Sequence, residues 1–277
     1  MRTIYAIVYL LLCKSALIAS AKYNYYDVQL PTYLPRQQLP NTISQAVLEA
    51  WAMIISADRG VLEVLLLSLK VSLSATMIAS IAGLAIGLAL ATYPFAGRGA
   101  FISILNTLLG LPSVVVGLLV YILLSRAGPL GSWGLLFTPT AMVIAQTLLI
   151  TPLVAALSRQ AFSQTWLEFE PLLKSLGLPA KHRAFALLHQ TRWALLTIIL
   201  AALGRAISEV GAVMIVGGNI AGVTRVMTTS ITLETSKGEI SIALALGFIL
   251  LGTVLMLNFC ASLIQREHTP RSLRIAS

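Results

Sequence analysis

The amino-acid sequence predicts an all-α fold, a polytopic transmembrane helical bundle with five core spans. Of its 277 residues, 57% are hydrophobic and only 10% are charged, whereas about a quarter of the residues of an ordinary soluble domain are charged. The hydrophobic residues are gathered into long runs with few or no charges, and about 20 such residues in a helix cross about 30 Å of hydrocarbon. A lipid bilayer is therefore the expected solvent of this chain.

Five runs are long enough to cross the membrane as helices. They are Val64–Tyr93, Phe101–Ser125, Gly134–Ser158, Trp193–Val216 and Ile240–Ile264. Pro112, Pro139 and Pro152 fall within these runs, and a membrane helix tolerates such kinks where neighbouring groups satisfy the freed backbone. In the first run, Gly83 and Gly87 form a GxxxG pattern that allows another helix to approach closely. We therefore expect five spans, some of them kinked.

The first 43 residues are predicted to be a separate region, a signal-like or membrane-anchoring segment followed by an external linker. The segment is largely apolar, is interrupted by Lys14 and ends in Ala19, Ser20 and Ala21. This pattern fits either a cleaved signal peptide or an uncleaved sixth span, and a misassigned start codon is a third explanation. Residues 22–40 are rich in Tyr, Pro, Gln and Asn and lack helical periodicity, which predicts a linker.

A short amphipathic helix is predicted just before the first span. Its apolar residues recur at helical spacing, with Glu49 and Asp58 off that face. Such a helix either lies in the membrane interface or packs against the bundle. The apolar positions are Ile43, Val47, Ala50, Trp51 and Ile54.

The formal net charge of +9 is explained by membrane topology and not by nucleic-acid binding, because the basic residues lie between apolar runs and form no single patch with interleaved aromatic residues. Cytoplasmic segments near span ends carry an excess of Lys and Arg. Placing residues 159–192 inside puts nine of these side chains on the inner side and six on the outer side. The sequence therefore predicts a multi-pass protein of the plasma (inner) membrane, with a cytoplasmic C-terminus and residues 266–277 as its tail.

Residues 159–192, between the third and fourth runs, are predicted to form a helix, a turn and a second helix. Apolar residues repeat there every three to four positions, Gly177 interrupts the pattern, and Pro179 starts a new direction. Charged residues flank the apolar face, which suits a partner protein's groove, the lipid headgroups or the protein's own bundle. The repeating residues are Trp166, Phe169, Leu172, Leu173 and Leu176.

The same segment resembles the coupling segment of binding-protein-dependent ABC importers, whose membrane subunits carry the pattern EAAxxxG. Aligned on Gly177, this sequence has Leu172 and Leu173 at the two alanines and Pro171 in place of the glutamate. Three longer strings are similar to the permeases of tungstate importers, so that the likeness covers about residues 44–265. They are GLPSVVVGLLVYILLSRAGPLG from Gly110, LLFTPTAMVIAQ from Leu135 and GRAISEVGAVMIVGGNI from Gly204.

The resemblance implies the fold of a MetI-like ABC permease and ATP-driven import of an oxyanion. It implies a homodimer of this chain, two cytoplasmic ABC ATPase subunits docked on the coupling segments, and an external oxyanion-binding protein. The chain contains no GxxxxGK[ST] phosphate loop, so ATP and Mg are expected on the partner ATPase and no cofactor is expected on this chain. The residues implied for ATPase coupling are Glu168, Phe169, Glu170, Leu172, Leu173, Lys174, Leu176 and Gly177.

Two opposite charges are predicted inside the fourth span. Arg205 and Glu209 are four residues apart and therefore share a helix face. A charge at the membrane centre costs about 2.5 to 3.5 kcal/mol on insertion scales, which confines such residues to bundle interiors or water-filled paths. The pair either lines the substrate path, where Arg205 attracts a divalent oxyanion, or fixes helix packing.

Polar groups near this pair are further candidates for the substrate path. The turn of Gly217, Gly218 and Asn219 offers exposed amide donors that suit an oxyanion gate, and a turn that simply ends a helix is the alternative. Hydroxyl groups either donate to passing oxygens or bond to backbone carbonyls. The hydroxyl residues are Ser208, Thr228, Thr229 and Ser230.

Tungstate is the predicted substrate, and molybdate is the nearest alternative because both are tetrahedral dianions of similar size. An ion-coupled secondary transporter predicts inverted repeats and several intramembrane carboxylates, whereas the spans carry only Glu209 and no clear repeat. A membrane enzyme needs a catalytic constellation such as paired carboxylates or HExxH, and none occurs. Cys13 and Cys260 lie in apolar runs without metal-ligand spacing, so no catalytic residue and no metal site is predicted.

Overall fold

The computed structural model describes residues 47–48, 51–52, 55, 59–177 and 179–268, without the side chains of Lys174 and of residues 260–268. All of these residues belong to the unit Thr42–Ser277, and the unit Met1–Asn41 lies outside the described residues. The predicted anchoring segment, the linker and most of the C-terminal tail therefore stay predictions. The described part of the short amphipathic segment is helical, with Val47 and Trp51 exposed; Ile43, Ala50 and Ile54 lie outside the described residues.

Helices connected by short turns make up the described part of the chain. We number them α1 to α8, and a single 3-10 turn, Gly131–Trp133, lies between α3 and α4. The helices are α1 (Arg59–Thr92), α2 (Arg98–Leu108), α3 (Ser113–Leu124), α4 (Pro139–Ser175), α5 (Ala180–Ile207), α6 (Gly211–Gly217), α7 (Met227–Lys237) and α8 (Ile240–His268).

Four of the described helices are long and apolar enough to cross a membrane, namely α1, α4, α5 and α8. The helices α2 and α3 make a fifth crossing if they are taken as one broken span. This confirms the predicted polytopic helical bundle. The second predicted span is wrong in detail, since its two halves are bent by 101° and are not merely kinked. Pro112 has no N–H to donate and restricts the backbone of Leu111, so the helix restarts after the bend.

Residues 159–192 form the last part of one helix, a turn and the first part of the next, so two of the predicted runs belong to helices that extend beyond them. Helix α4 begins at Pro139, five residues later than the predicted third span, and continues to Ser175 through Pro152 and Pro171. Helix α5 already begins at Ala180. The predicted turn between two helices is confirmed, because Gly177 has a φ of +62°, a conformation that suits glycine at a helix end.

The predicted close approach at the GxxxG pattern occurs within this chain, between α1 and α4. A Cβ at Gly83 would lie 2.7 Å from Cβ of Val154, so only glycine leaves room for this contact. Ser158 of α4 also donates a hydrogen bond to the carbonyl of Gly83 at 3.4 Å. The two helices therefore pack backbone to backbone at this point, as small residues permit in membranes.

We expect the substitution Gly87→Val to destabilise the purified protein by about 1–3 kcal/mol, the usual cost of overpacking a core. A Cβ at position 87 would lie 2.1 Å from Oγ of Ser158 and 2.9 Å from the backbone nitrogen of Arg159. The melting midpoint in detergent measures this loss. Gly252→Val in α8 is the matched control, since no heavy atom lies within 4 Å of a Cβ built there. An equal drop in both variants would contradict the α1–α4 contact.

Candidate functional site

The fourth predicted span is broken at the point where its charges lie. Helix α5 ends at Ile207, and the seven-residue helix α6 begins only at Gly211. Ser208 closes α5, with its N–H bonded to the carbonyl of Gly204 and its hydroxyl donating to the carbonyl of Arg205 at 3.1 Å. Trp193–Val216 is therefore not one continuous helix. Glu209 stands in the break and not on the helix that carries Arg205.

Glu209 is the centre of the contacts at this break and is only 2% exposed. Its Oε2 accepts a hydrogen bond from Nη1 of Arg205 at 2.8 Å, so the predicted pairing of these two charges is observed. Its Oε1 accepts from the backbone N–H of Ala212 at 3.2 Å, and its backbone carbonyl accepts from the hydroxyl of Thr228 at 2.9 Å. This one residue thus joins α5 and α6 through its side chain and α7 through its backbone carbonyl.

The two partners differ in exposure, and this difference decides what the pair offers to a ligand. The side chain of Arg205 is 45% exposed, whereas Glu209 is enclosed. A guanidinium carries five N–H donors, and only one of those on Arg205 is engaged by the carboxylate. With 45% of its side chain exposed, Arg205 remains accessible at this break in the predicted span. The arrangement presents a partly neutralised cation that attracts an anion without binding it as strongly as an unpaired charge would.

Gln146 of α4 is a polar residue of this site that sequence reasoning missed. Its Nε2 donates to the carbonyl of Ala206 at 3.0 Å, while its buried Oε1 has no partner. It lines a cavity of about 10 Å³, the size of one water molecule. The other polar residues of this cavity are Ser68, Ser72, Glu209 and Thr228.

The spacing of hydroxyl residues in α1 indicates this polar interior from the sequence. Buried hydroxyl residues recur every fourth position in α1, which places them on one face of that helix. Ser68 donates to the carbonyl of Val64 at 2.8 Å and accepts from the N–H of Met227 at 2.7 Å, which ties α1 to the start of α7. The four residues are Ser68, Ser72, Thr76 and Ser80. Within the described residues, no group of three or more His, Cys, Asp or Glu is placed to hold a metal ion.

Helix α3, the second half of the broken span α2–α3, begins beside the break between α5 and α6. A Cβ at Gly211, the first residue of α6, would lie 2.9 Å from Oγ of Ser113, the first residue of α3. A Cβ at Gly117 would lie 2.7 Å from Cα of Ala212, so the two helices touch through their backbones. Helix α3 has no side-chain cap at its start. The starts of α3 and α6 therefore lie together near the Arg205 break, and the N–H of Ala212 at the start of α6 is taken by the carboxylate of Glu209.

The turn after α6 ends a helix, which is the alternative considered for it, and a role of its amides in an oxyanion gate stays a prediction. Gly218 has a φ of +70°, and its N–H donates to the carbonyl of Met214 at 3.0 Å. The hydroxyl of Thr224 donates to the carbonyl of Gly217 at 2.6 Å and accepts from the N–H of Ile220 at 3.0 Å. Gly218 adopts this angle because helices commonly end in a residue of left-handed conformation, which glycine takes most easily. Asn219 lies in the same turn, and its buried Oδ1 has no partner.

Three of the four predicted hydroxyl residues, Thr228, Thr229 and Ser230, are buried at the start of α7, whereas Ser208 is exposed at the end of α5. Thr229 donates to the carbonyl of Val226 at 3.0 Å and accepts from the N–H of the same residue. Ser208 and Thr228 also donate to backbone carbonyls. Three of the four therefore serve the backbone, the alternative considered for them, and the Oγ of Ser230 has no partner.

The coupling residues divide into an exposed set and a buried one. Leu172 and Leu176 are one helical turn apart and are 55% and 62% exposed, whereas Leu173 is 7% exposed. Glu168 and Gly177 are also exposed, Phe169 and Glu170 are half-buried, and the side chain of Lys174 lies outside the described residues. Leu173 therefore packs inside the chain. Leu172 and Leu176, the exposed coupling pair, remain available to a partner protein.

Several known permeases are similar to this chain, although no family model matches it. A probable anion ABC transporter permease protein of Haloferax volcanii is 42% identical over 208 residues, which are 73% of this chain and 89% of that protein. The tungstate uptake system permease protein TupB of Peptoclostridium acidaminophilum is 40% identical over 225 residues, 81% of this chain and 99% of that protein. The sulfate transport system permease protein CysW of Synechocystis sp. is 30% identical over 174 residues, 60% of this chain and 63% of that protein.

Proposed function

Since this chain belongs to the ABC transporter permease family, we propose that it is the membrane-spanning subunit of an ATP-driven importer that carries tungstate across the plasma membrane. The observation that carries the proposal is the similarity to the tungstate uptake permease, which extends over 99% of that protein. The half-exposed Arg205 at a helix break supports an anionic substrate. Molybdate is the second candidate, because it is a tetrahedral dianion of similar size.

The working assembly that we propose contains two copies of this chain, two ATPase subunits and an external oxyanion-binding protein. ATP and Mg bind to the ATPase subunits, because this chain has no phosphate loop of its own. The excess of Lys and Arg in residues 159–192 and near the C-terminus supports a cytoplasmic location for both. The exposed pair of Leu172 and Leu176 then faces the cytoplasm, where an ATPase subunit covers it.

The geometry at Arg205 supports a weak, transient site for the anion. A permease that held tungstate tightly would trap it, so passage needs contacts that the anion can leave. The carboxylate of Glu209 takes one guanidinium donor and offsets part of the positive charge, while the free donors remain for the substrate. High affinity then resides in the external binding protein, and this chain supplies an attractive path with a low barrier.

The test is uptake by liposomes that contain the full-length chain and its ATPase, with binding protein and tungstate outside. We expect tungsten to accumulate inside only when ATP is supplied to the ATPase, and we expect excess molybdate to compete. Elemental mass spectrometry of washed vesicles measures the uptake. An ATPase variant without its phosphate-loop lysine is the control. Accumulation without ATP would refute the proposal, and stronger competition by sulfate than by molybdate would refute the substrate assignment.

A further inference from the structure

A groove lined by residues of α1, α4 and α5 combines an apolar wall with a basic residue. It lies between the last turns of α1 and the first turn of α5, with Trp166 of α4 in its wall, and its volume is about 290 Å³. The small side chains of Ala85 and Ala89 on α1 and of Ala184 on α5 leave this space open. From Ala85 to Thr92 the helix rises by roughly 10 Å, so the groove runs along the helix axis.

The basic end of the groove is formed by Arg183. Its Nε is buried and has no hydrogen-bond partner, and its side chain lines the groove. A buried donor without a partner is costly, and a guanidinium matches the oxygens of a phosphate group through two parallel hydrogen bonds. Among the described residues that line the groove, none is acidic. Arg183 therefore brings to the groove a positive charge that no described lining residue balances.

The position of the groove indicates the source of an anion that would balance this charge. Tyr93 and Trp166 line the groove together with Arg183, and these two residue types are enriched at the boundary between hydrocarbon and water. Ala180, the first residue of α5, also lines the groove, and α5 has no side-chain cap there. The start of a helix favours a negatively charged group. The apolar part of the groove extends from this boundary along α1.

We propose that the groove binds one anionic phospholipid, with its phosphate on Arg183 and the start of α5 and one acyl chain along Ala85 and Ala89. The chemistry fits both halves of such a molecule, because the apolar wall is made of alanine and leucine side chains and the basic end faces the headgroup level. Lys181 does not line the groove, but it is exposed in the same first turn of α5, and its charge nearby favours an anionic headgroup over a zwitterionic one. The site is independent of the transport path at Arg205.

The experiment measures lipid retention by the purified full-length chain in detergent. Native mass spectrometry counts phosphatidylglycerol or phosphatidylcholine molecules bound per chain as each lipid is titrated. We expect one phosphatidylglycerol per chain to bind more tightly than phosphatidylcholine. Arg183→Gln should weaken its binding about tenfold, the effect of losing one charge-assisted contact. Ala89→Leu should weaken both lipids, because the larger side chain fills the groove.

Two matched variants test the specificity of these losses. Arg192→Gln removes another arginine of α5, one that contacts His189 and lies 5.4 Å from the centre of the Trp193 ring, and it should retain the lipid. Ala100→Leu enlarges an exposed alanine of α2 outside the groove and should also retain it. Because Ala89→Leu tests the groove without touching its charge, a folding defect in Arg183→Gln would leave the site testable.

Three results would overturn the proposal. The first is equal retention of phosphatidylglycerol by the unmodified chain and by folded Ala89→Leu. The second is displacement of the lipid by millimolar inorganic phosphate with no preference for the lipid, which would identify a site for a free anion. The third is a shift of Ala89→Leu from dimer to monomer without any loss of lipid, which would show that a second copy of the chain covers the groove.

Discussion

Arg205→Ala should reduce the initial rate of ATP-driven tungstate uptake at least about tenfold, which corresponds to about 1.4 kcal/mol of lost stabilisation of the passing anion. The reason is that Arg205 presents free guanidinium donors at the break between α5 and α6, while its charge is only partly offset by Glu209. Arg205→Lys should retain part of the rate, since lysine keeps the positive charge but lacks the planar set of N–H donors of a guanidinium. Liposome uptake at a saturating concentration of loaded binding protein measures both variants.

The double variant Arg205→Ala with Glu209→Ala separates a path residue from a packing residue. Glu209→Ala alone should lower the free energy of unfolding by about 1–3 kcal/mol, because the N–H of Ala212 and one donor of Arg205 lose their buried acceptor. A lower melting midpoint in detergent would show this loss. If Arg205 acts on the anion, the double variant stays as slow as Arg205→Ala. Normal transport by the double variant would show that the pair only holds the break together. The affinity of the binding protein for tungstate is the internal control and should not change.

The second large effect is expected at the exposed coupling pair. Leu176→Asp should abolish co-purification of the ATPase subunit while the chain still inserts into the membrane and keeps its melting midpoint. The side chain of Leu176 is 62% exposed, so a charge there costs the isolated chain little, but it would be buried without a partner under a docked ATPase. Affinity purification through a tag on this chain, followed by quantification of the ATPase, gives the result.

Leu167→Asp is the matched control for this experiment. Leu167 is 75% exposed on the same helix, but it lies roughly 140° to 180° around the helix from Leu172 and Leu176. It should therefore leave the ATPase attached. Loss of the ATPase from Leu167→Asp but not from Leu176→Asp would place the docking face on the other side of α4. Leu173 is a poor choice for this test, since a charge at that buried position would disturb the packing of the chain itself.

The sequence by itself determined the class of the fold, because a helix that crosses the bilayer needs a long run of apolar residues, and such runs can be read directly from the sequence. Long runs without charge, the GxxxG of Gly83 and Gly87 and the stop signal at Gly177 each act locally, through burial of apolar atoms, absence of a Cβ and a positive φ. The structure confirms each of them. The pairing of Arg205 with Glu209 was also predictable, since four residues separate them along the chain.

Where the spans break was decided only by the tertiary structure. Apolar residues continue on both sides of Ser208, so the predicted span ran on to Val216, whereas the structure ends α5 at Ile207. The break is held by contacts between residues far apart in the sequence, those of Gln146 with Ala206 and of Thr228 with Glu209. The spacing of apolar residues along the chain does not reveal such contacts, because they depend on which helices pack against each other.

Exposure was likewise a tertiary property. Leu172, Leu173 and Leu176 are identical side chains in one helical repeat, yet one of them is buried and two are open. The same holds for the charged pair, where packing enclosed Glu209 and left Arg205 accessible. The sequence thus placed this chain in a membrane and indicated its charged and coupling residues. Three-dimensional packing decided which of those residues can meet a substrate, a partner or a lipid, because accessibility is set by neighbours that the local sequence does not contain.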